Sequence, residues 1–305
     1  MRPRHEPVLL EETLRFLRRG PGLYLDATLG EGGHAEALLR AEPEARLLGS
    51  DRDPFALESA HDRLRPFEDR VTLAHATFRE IPEVHRRMGS EPLTGALYDL
   101  GLSSRQIDDA GRGMSFQALA PLDLRMDPTR GVPAAERLAG VSEEALAEVL
   151  REHGDVPFAR RLSRALVAAA HEGRLETTGD VVDIARRVFG RRAQPRRLAQ
   201  VFQALRVWIN DEALDLEATL EWLPNVVRPG GVVVTIAYHS GDDRRIKRAV
   251  RGPIAVPSRF PEEQRSPEGP WEEWTRKVVK PTAAECTRNP RARSARLRAF
   301  CRRSG

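Results

Sequence analysis

Apolar and polar positions follow two regimes along this chain. In the first hundred residues, short apolar runs stand about one helix apart. Residues 22–27 read as a strand carrying Asp26 near its end, followed by the glycine loop Gly30-Glu31-Gly32-Gly33. Residues 35–40 read as a helix, with Pro43 soon after its end. Residues 46–50 predict a second strand leading to Asp51-Arg52-Asp53, and Pro54 suits the first turn of a helix over 55–64. Residues 71–78 predict a third strand and 95–100 a fourth, with Asp99 at its end. This alternation is the pattern of a parallel sheet covered on both faces.

From about residue 106 to 206 the alternation stops and the regular segments are helical: 142–152, 156–172, 178–189 and 194 onwards. Ser142-Glu143-Glu144-Ala145 and Thr178-Gly179-Asp180-Val181 have the form of helix starts. The turn Arg228-Pro229-Gly230-Gly231 then feeds a β-branched strand, Val232 to Ile236, and residues 296–301 suggest a terminal hairpin. The Pro- and charge-rich stretch 253–270 reads as a surface excursion. The expected fold is α/β, a doubly wound Rossmann-like sheet with a helical insert after its fourth strand. The expected domains are 1–105 and 207–305 for the sheet and 106–206 for the insert. A length of 305 residues fits two domains, and needs no disulfide or metal staple to fold.

Composition narrows the class. Hydrophobic residues make up 40% and charged residues 31%, a globular balance. Apolar runs such as 231–237 are too short to cross a bilayer, and the N-terminus has no secretory pattern, so a cytoplasmic protein without membrane contact is expected. The two cysteines, Cys286 and Cys301, exclude a disulfide framework and a paired-cysteine zinc site; no metal is expected. Charge is uneven. Residues 106–150 carry eight acids against four arginines, residues 151–206 twelve arginines against six acids, and the last twenty residues seven arginines and no acid. Two Arg-rich regions fit a phosphate backbone, because guanidinium binds phosphate through paired hydrogen bonds. With only three lysines in the chain, an arginine-biased solvated surface reads equally well.

The chemistry concentrates at the strand ends. A strand ending in an acid, then Gly-x-Gly-Gly, then a helix start makes a loop where a ligand can touch the backbone. Asp51 lies 21 residues beyond Gly30, at the next strand end, where a carboxylate can hold both ribose hydroxyls. These features specify an adenosine-containing cofactor; the bland alternatives are an ordinary strand-to-helix turn and a helix cap. Asp99-Leu100-Gly101-Leu102-Ser103-Ser104 ends strand four, where a methyl acceptor would sit. No cysteine is placed to attack a pyrimidine ring, which disfavours carbon-5 methylation. Methylation of an exocyclic amine needs only a group that holds the amine and aligns it, and Asp99, Ser103 and Ser104 are candidates.

Longer strings now carry a resemblance: His5-x-Pro7-Val8-Leu9-Leu10, Asp26-Ala27-Thr28-Leu29-Gly30-Glu31-Gly32-Gly33-His34, Asp51-Arg52-Asp53-Pro54, and Asp99 through Ser104-x-Gln106-Ile107-Asp108. Arg112-Gly113-Met114-Ser115-Phe116, Pro121-Leu122-Asp123-Leu124-Arg125-Met126-Asp127-Pro128, Phe202 through Asn210 and Asn289-Pro290-Arg291-Ala292-Arg293-Ser294 extend it over nearly the whole length. The chain resembles the RsmH (MraW) family of 16S rRNA cytosine N4-methyltransferases. That resemblance implies a class I S-adenosylmethionine-dependent methyltransferase sheet and transfer of a methyl to a cytidine amine in the decoding centre. It implies 16S rRNA in the small subunit as partner, with the insert helping to recognise RNA. Carried over by position, the cofactor residues are Gly32, Gly33, His34, Asp51, Phe78, Asp99 and Gln106.

One departure stands out. The family's Phe-His-Ser-Leu-Glu-Asp-Arg reads here Tyr238-His239-Ser240-Gly241-Asp242-Asp243-Arg244, and Gly241 is expected to loosen that loop. His239 is a candidate beside the target base or equally a helix cap. Phe78 fits the adenine or the sheet core. Trp208 reads as core helix sooner than as a base-stacking platform. Residues 121–128 suit a substrate loop or a rigid turn, and His5 a pocket lid or a tail. A dinucleotide-dependent oxidoreductase and a non-catalytic ribosome-assembly protein remain as alternatives, and a homodimer is left open.

Overall fold

The computed structural model describes residues 6–251 and 269–304; His5 and most of the expected excursion at 253–270 lie outside them. Two compact units emerge. One comprises residues up to Gly101 together with Asp215 onwards, and the other runs from Leu102 to Leu214. The second is wider than 106–206, and its end falls inside a helix.

The sheet unit opens with α1 (Leu10–Leu17), β1 (Gly22–Asp26), α2 (Gly33–Ala41), β2 (Ala45–Asp51), α3 (Pro54–Leu64), β3 (Val71–His75), α4 (Ile81–Arg87) and β4 (Leu93–Asp99). The helical unit holds α5 (Ser104–Asp108), α6 (Ala134–Ala139), α7 (Glu143–Gly154), α8 (Ala159–His171), α9 (Thr178–Phe189) and α10 (Pro195–Ile209). Helix α11 (Glu212–Val226) leads back to β5 (Val227–Ala237), α12 (Ser240–Arg251), β6 (Trp271–Glu273), α13 (Ala283–Arg288) and β7 (Arg296–Arg302). No helix among the described residues is long and apolar enough to cross a membrane.

The seven strands lie in the order β3-β2-β1-β4-β5-β7-β6. The first five pair in parallel, while β7 runs antiparallel to both β5 and β6, giving the expected antiparallel C-terminal end. Successive residues of a strand enter opposite cores. Leu97, Val234 and Ile236 pack on one face, and Ala96, Tyr98 and Val233 on the other. Burial on both faces explains why these strands read as continuous apolar runs and not as alternations. The order reverses between β1 and β4, and there the carboxyl ends of an open α/β sheet leave a crevice for ligand.

Three expectations need correction. The third strand stops at His75, and Phe78 sits in the following turn, where the Thr77 amide donates to Glu80 Oε2 at 2.7 Å and the Glu80 amide donates back to the Thr77 carbonyl. The Arg228–Gly231 turn is instead a bulge inside β5. The register jumps from Leu93–Val227 to Gly95–Val232, and Gly230 takes φ +77°. The helix expected over 156–172 begins only at Ala159, because Asp155 and Phe158 adopt left-handed backbone that breaks the run.

The helical unit closes on its own core, including Leu146, Leu162, Leu166, Val181, Val201 and Leu205. Ser142 caps α7 as the sequence suggests, accepting from the Ala145 amide, while the cap of α9 is Thr177, one residue before the expected start, in a capping box with Asp180.

Candidate functional site

At the carboxyl ends of β1, β2 and β4 the sheet unit gathers three acids, Asp26, Asp51 and Asp99. Between the first two runs the glycine loop. Gly30 takes φ +52° and Gly32 φ +77°, conformations that a side chain would strain. Gly32 caps α2 without a side chain, leaving the helix amides open. A Cβ on Gly33 would stand 2.5 Å from Pro7 Cγ, so the segment before α1 lies against this loop.

Asp51 is fixed by the loop it serves. Its Oδ2 accepts from the Gly30 amide and its Oδ1 from the Asp53 amide, each at 2.8 Å. The second bond and the Asp53 cap of α3 are parts of one turn. Burial pushes the Asp51 carboxyl up to about 6, against the pull of those two amides. Asp26 is almost wholly buried and is pushed up to about 7, mainly by burial, with Asp99 and Asp51 adding and His34 and the Thr28 amide opposing.

Asp99 ends β4, its amide donating to Thr28 Oγ1 at 2.6 Å. His34, in the first turn of α2, places Nε2 3.8 Å from Asp99 Oδ2. Among the described residues, Asp99 Oδ1 and both His34 ring nitrogens are buried with no hydrogen-bond partner. Burial without a partner costs ~1–3 kcal/mol for each such group, and a ligand that bonds them would remove that cost. Tyr238 adjoins them. A Cβ on Gly101 would meet its ring at 2.7 Å, and burial, then the Asp99 charge, hold its phenol well above the usual range.

Phe78 packs edge-on against Tyr98, ring centroids 5.4 Å apart, and the Tyr98 hydroxyl shares a 2.7 Å hydrogen bond with Thr219 Oγ1 of α11. Asp215, one turn earlier on α11, is buried and paired with both Arg52 and Arg79. Each of these arginines adjoins a predicted site residue, Asp51 or Phe78. Sequence reasoning misses Asp215, Thr219 and Tyr238. No local motif marks a lone helical acid, although Leu216, Leu220 and Leu223 at i, i+4 and i+7 do announce the helix.

The structure thus brings together Gly32, Gly33, His34, Asp51 and Asp99, with Phe78 in the turn beyond β3. Ser103 and Gln106 belong to the helical unit, where they form a capping box for α5: Ser103 Oγ accepts from the Gln106 amide, and Gln106 Oε1 accepts from the Ser103 amide. The Ser104 side chain lies outside the described residues. His239 lies on the sheet unit before α12, Nε2 2.6 Å from Asp242 Oδ2. Gly241 does not loosen a loop: it is buried in the first turn of α12, where a Cβ would stand 3.1 Å from His239 Nδ1. The 121–128 stretch is tied down, with Asp123 on Arg125, and the Met126 amide on Asn210 Oδ1 at 2.7 Å. Trp208 packs against the helical core, its ring under Arg137.

Residues 2–303 match the model of the MraW methylase family. The chain belongs to this family. The ribosomal RNA small subunit methyltransferase H of Symbiobacterium thermophilum is 42% identical over 303 residues, which covers 97% of this chain and 95% of that protein. Its namesake in Sorangium cellulosum is 42% identical over 314 residues, covering 100% and 93%. A third, from an Anaeromyxobacter species, is 42% identical over 303 residues, covering 97% of both chains. As an MraW methylase the chain is a methyltransferase with a Rossmann-like class I sheet, and S-adenosylmethionine is its methyl donor. The residues fit that donor: a left-handed glycine at Gly32, a fixed carboxylate at Asp51, and unpaired buried polar atoms on His34 and Asp99.

Proposed function

We propose that this methylase acts on ribosomal RNA, transferring a methyl group to the N4 amine of a cytidine in the decoding centre of 16S rRNA, in the cytoplasm. When bound, S-adenosylmethionine supplies an electrophilic methyl on a sulfonium centre. The chain's own residues bind and orient. Asp51 accepts from the ribose hydroxyls, its carboxylate held by the Gly30 and Asp53 amides. Gly32 and Gly33 admit the methionine end to close backbone contact. Phe78, braced by Tyr98, offers a flat apolar surface to the adenine. Gln106 closes the cofactor set by family resemblance.

The observation that carries the reading is the unpaired, buried Oδ1 of Asp99 at the end of β4. An exocyclic amine donates its lone pair into the pyrimidine ring. A carboxylate accepting from its N–H raises electron density on nitrogen and fixes its direction towards the methyl. The relatives' names, ribosomal RNA small subunit methyltransferase H, agree with the substrate class. His239, on the sheet unit, and Ser103, on the helical unit, are further candidates to hold the base or amine.

The experiment is mass-spectrometric mapping of methylated nucleosides after incubating small ribosomal subunits with enzyme and S-adenosylmethionine. A single N4-methylcytidine in the decoding centre is expected. Methyl groups on another base, or only on protein, would overturn the reading.

A further inference from the structure

The helical unit carries an exposed aromatic ring among arginines that no acid neutralises. Helix α7 ends at Gly154, and Val156-Pro157-Phe158 leads into α8. Phe158 is 47% exposed although Leu162 and Leu166, one and two turns on, are buried. Its backbone is left-handed, φ 56° and ψ 31°, a conformation in which a bulky L residue clashes with its own carbonyl. Phe158 is therefore held in strained backbone without belonging to the hydrophobic core of this unit.

Around it lies a shallow concavity of about 420 Å³ lined by Arg151, Val156, Phe158, Ala159, Arg160 and Arg161. The Arg192 guanidinium sits 5.7 Å from the Phe158 ring centroid and brings the α9–α10 connection to the same face. Elsewhere on this unit Arg164 pairs with Glu143, Arg174 with Glu172 and Arg186 with Asp183, while the exposed Arg187 donates to the Asp183 carbonyl. Among the described residues Arg160, Arg161 and Arg192 have none, and Arg151 donates to the Ala147 carbonyl. Glu152 and Asp155 are the acids of this segment. The first turn of α8 contains no acid, so its positive end is not offset.

We propose that this face binds a single-stranded stretch of RNA, with one base stacked on Phe158 and the flanking phosphates on Arg151, Arg160, Arg161 and Arg192. The inference rests on the reading of ribosomal RNA as substrate and adds where the chain is gripped. Guanidinium groups match phosphate by paired hydrogen bonds, and an exposed ring set among them is the surface a splayed base stacks upon. A base inside a duplex cannot reach such a ring, so unpaired RNA is the partner.

The test uses full-length protein with Phe158→Ala, Phe158→Tyr and the double variant Arg160→Ala/Arg161→Ala. Anisotropy measures affinity for a single-stranded small-subunit rRNA fragment, for the same fragment as a duplex, and for assembled subunits. Calorimetry with S-adenosylmethionine and thermal unfolding serve as controls. Phe158→Ala should weaken single-strand binding about 5- to 150-fold, the loss of one base stack, and Phe158→Tyr should restore it. The double variant should lower the slope of log affinity against log salt by about 1.4, two phosphates' worth. Cofactor affinity and unfolding temperature should not move.

Unchanged single-strand affinity in all variants overturns the proposal. So does equal weakening by Phe158→Ala and Phe158→Tyr with a lowered unfolding temperature, which marks a structural residue. Equal loss on the duplex also overturns it. Normal binding of naked RNA with lost binding to assembled subunits makes the partner a protein, and overturns it too. Failure of the wild type to methylate small-subunit rRNA sinks the substrate reading instead, and the binding measurements do not depend on that assay.

Discussion

The sheet unit and the helical unit treat buried polar atoms in opposite ways. Among the described residues, every buried side-chain nitrogen or oxygen without a partner belongs to the sheet unit, and His34 and Asp99 put three of them at the strand ends. In the helical unit the buried or half-buried polar groups are spent on structure. Ser103, Thr177 and Gln106 cap helices, and Asn210 ties down the 124–126 stretch. One unit therefore holds unmet polar demand inside a crevice, where a small ligand can satisfy it. The other is internally complete and has only its exposed side chains to offer a partner. That difference suits the strand ends of the sheet unit to the cofactor, and leaves the helical unit as the place for the proposed RNA contact.

The comparison is tested most severely at Asp26, where the sheet unit's unmet demand is electrostatic. A carboxyl raised in the fold to about 7 is ionised only at a cost. The folded state then binds more protons than the unfolded state between about pH 4 and 7, so stability from this group falls as pH rises through that window. Above it the full penalty applies, up to ~4 kcal/mol for a rise of about three units. Asp26→Asn should therefore stabilise the cofactor-free protein above pH 7 and flatten the decline. Denaturant unfolding from pH 4 to 9 checks this, and an Asn variant less stable than wild type at pH 8 contradicts it.

Asp99→Asn comes next. If the carboxylate orients the amine, single-turnover methyl transfer should fall by two to three orders of magnitude, about 2.7–4 kcal/mol, with the cofactor dissociation constant nearly unchanged. If Asp99 holds cofactor instead, affinity drops and the rate returns at saturation. A wild-type rate would move the amine-holding role to Ser103 or His239.

Asp51→Ala should weaken cofactor binding by about 1.5–3 kcal/mol, since a charged acceptor for two hydroxyls is lost. The Gly30 amide loses its partner in the same variant. Calorimetry that finds unaltered affinity in a folded protein removes Asp51 from the site.

The smallest effect lies in the helical unit. Ser142→Ala removes the cap of α7 and should cost about 1 kcal/mol of stability while leaving cofactor affinity untouched. A measurable change in cofactor affinity would show that the two units do not divide their work as described.

Local order was legible in the chain itself. The apolar runs of β1, β2 and β4 declare themselves because strands buried on both faces tolerate no polar interruption, and Gly30, Gly32 and Asp51 because a left-handed turn and a strand-end acid need those residue types. The cap at Ser142 is equally local. What lies far apart in sequence was decided only in three dimensions. Asp215 meets Arg52 and Arg79 across more than 130 residues, and Thr219 meets Tyr98 across 121. Phe78 moves off its strand because Thr77 and Glu80 close a turn, and Gly241 enters a helix, below His239, where a loop was expected. Hydrophobic period and turn chemistry act over a few residues, so a sequence displays them. Ion pairs, ring contacts and the burial that moves Asp26 and Asp51 depend on which segments the fold brings together, and no local pattern records that.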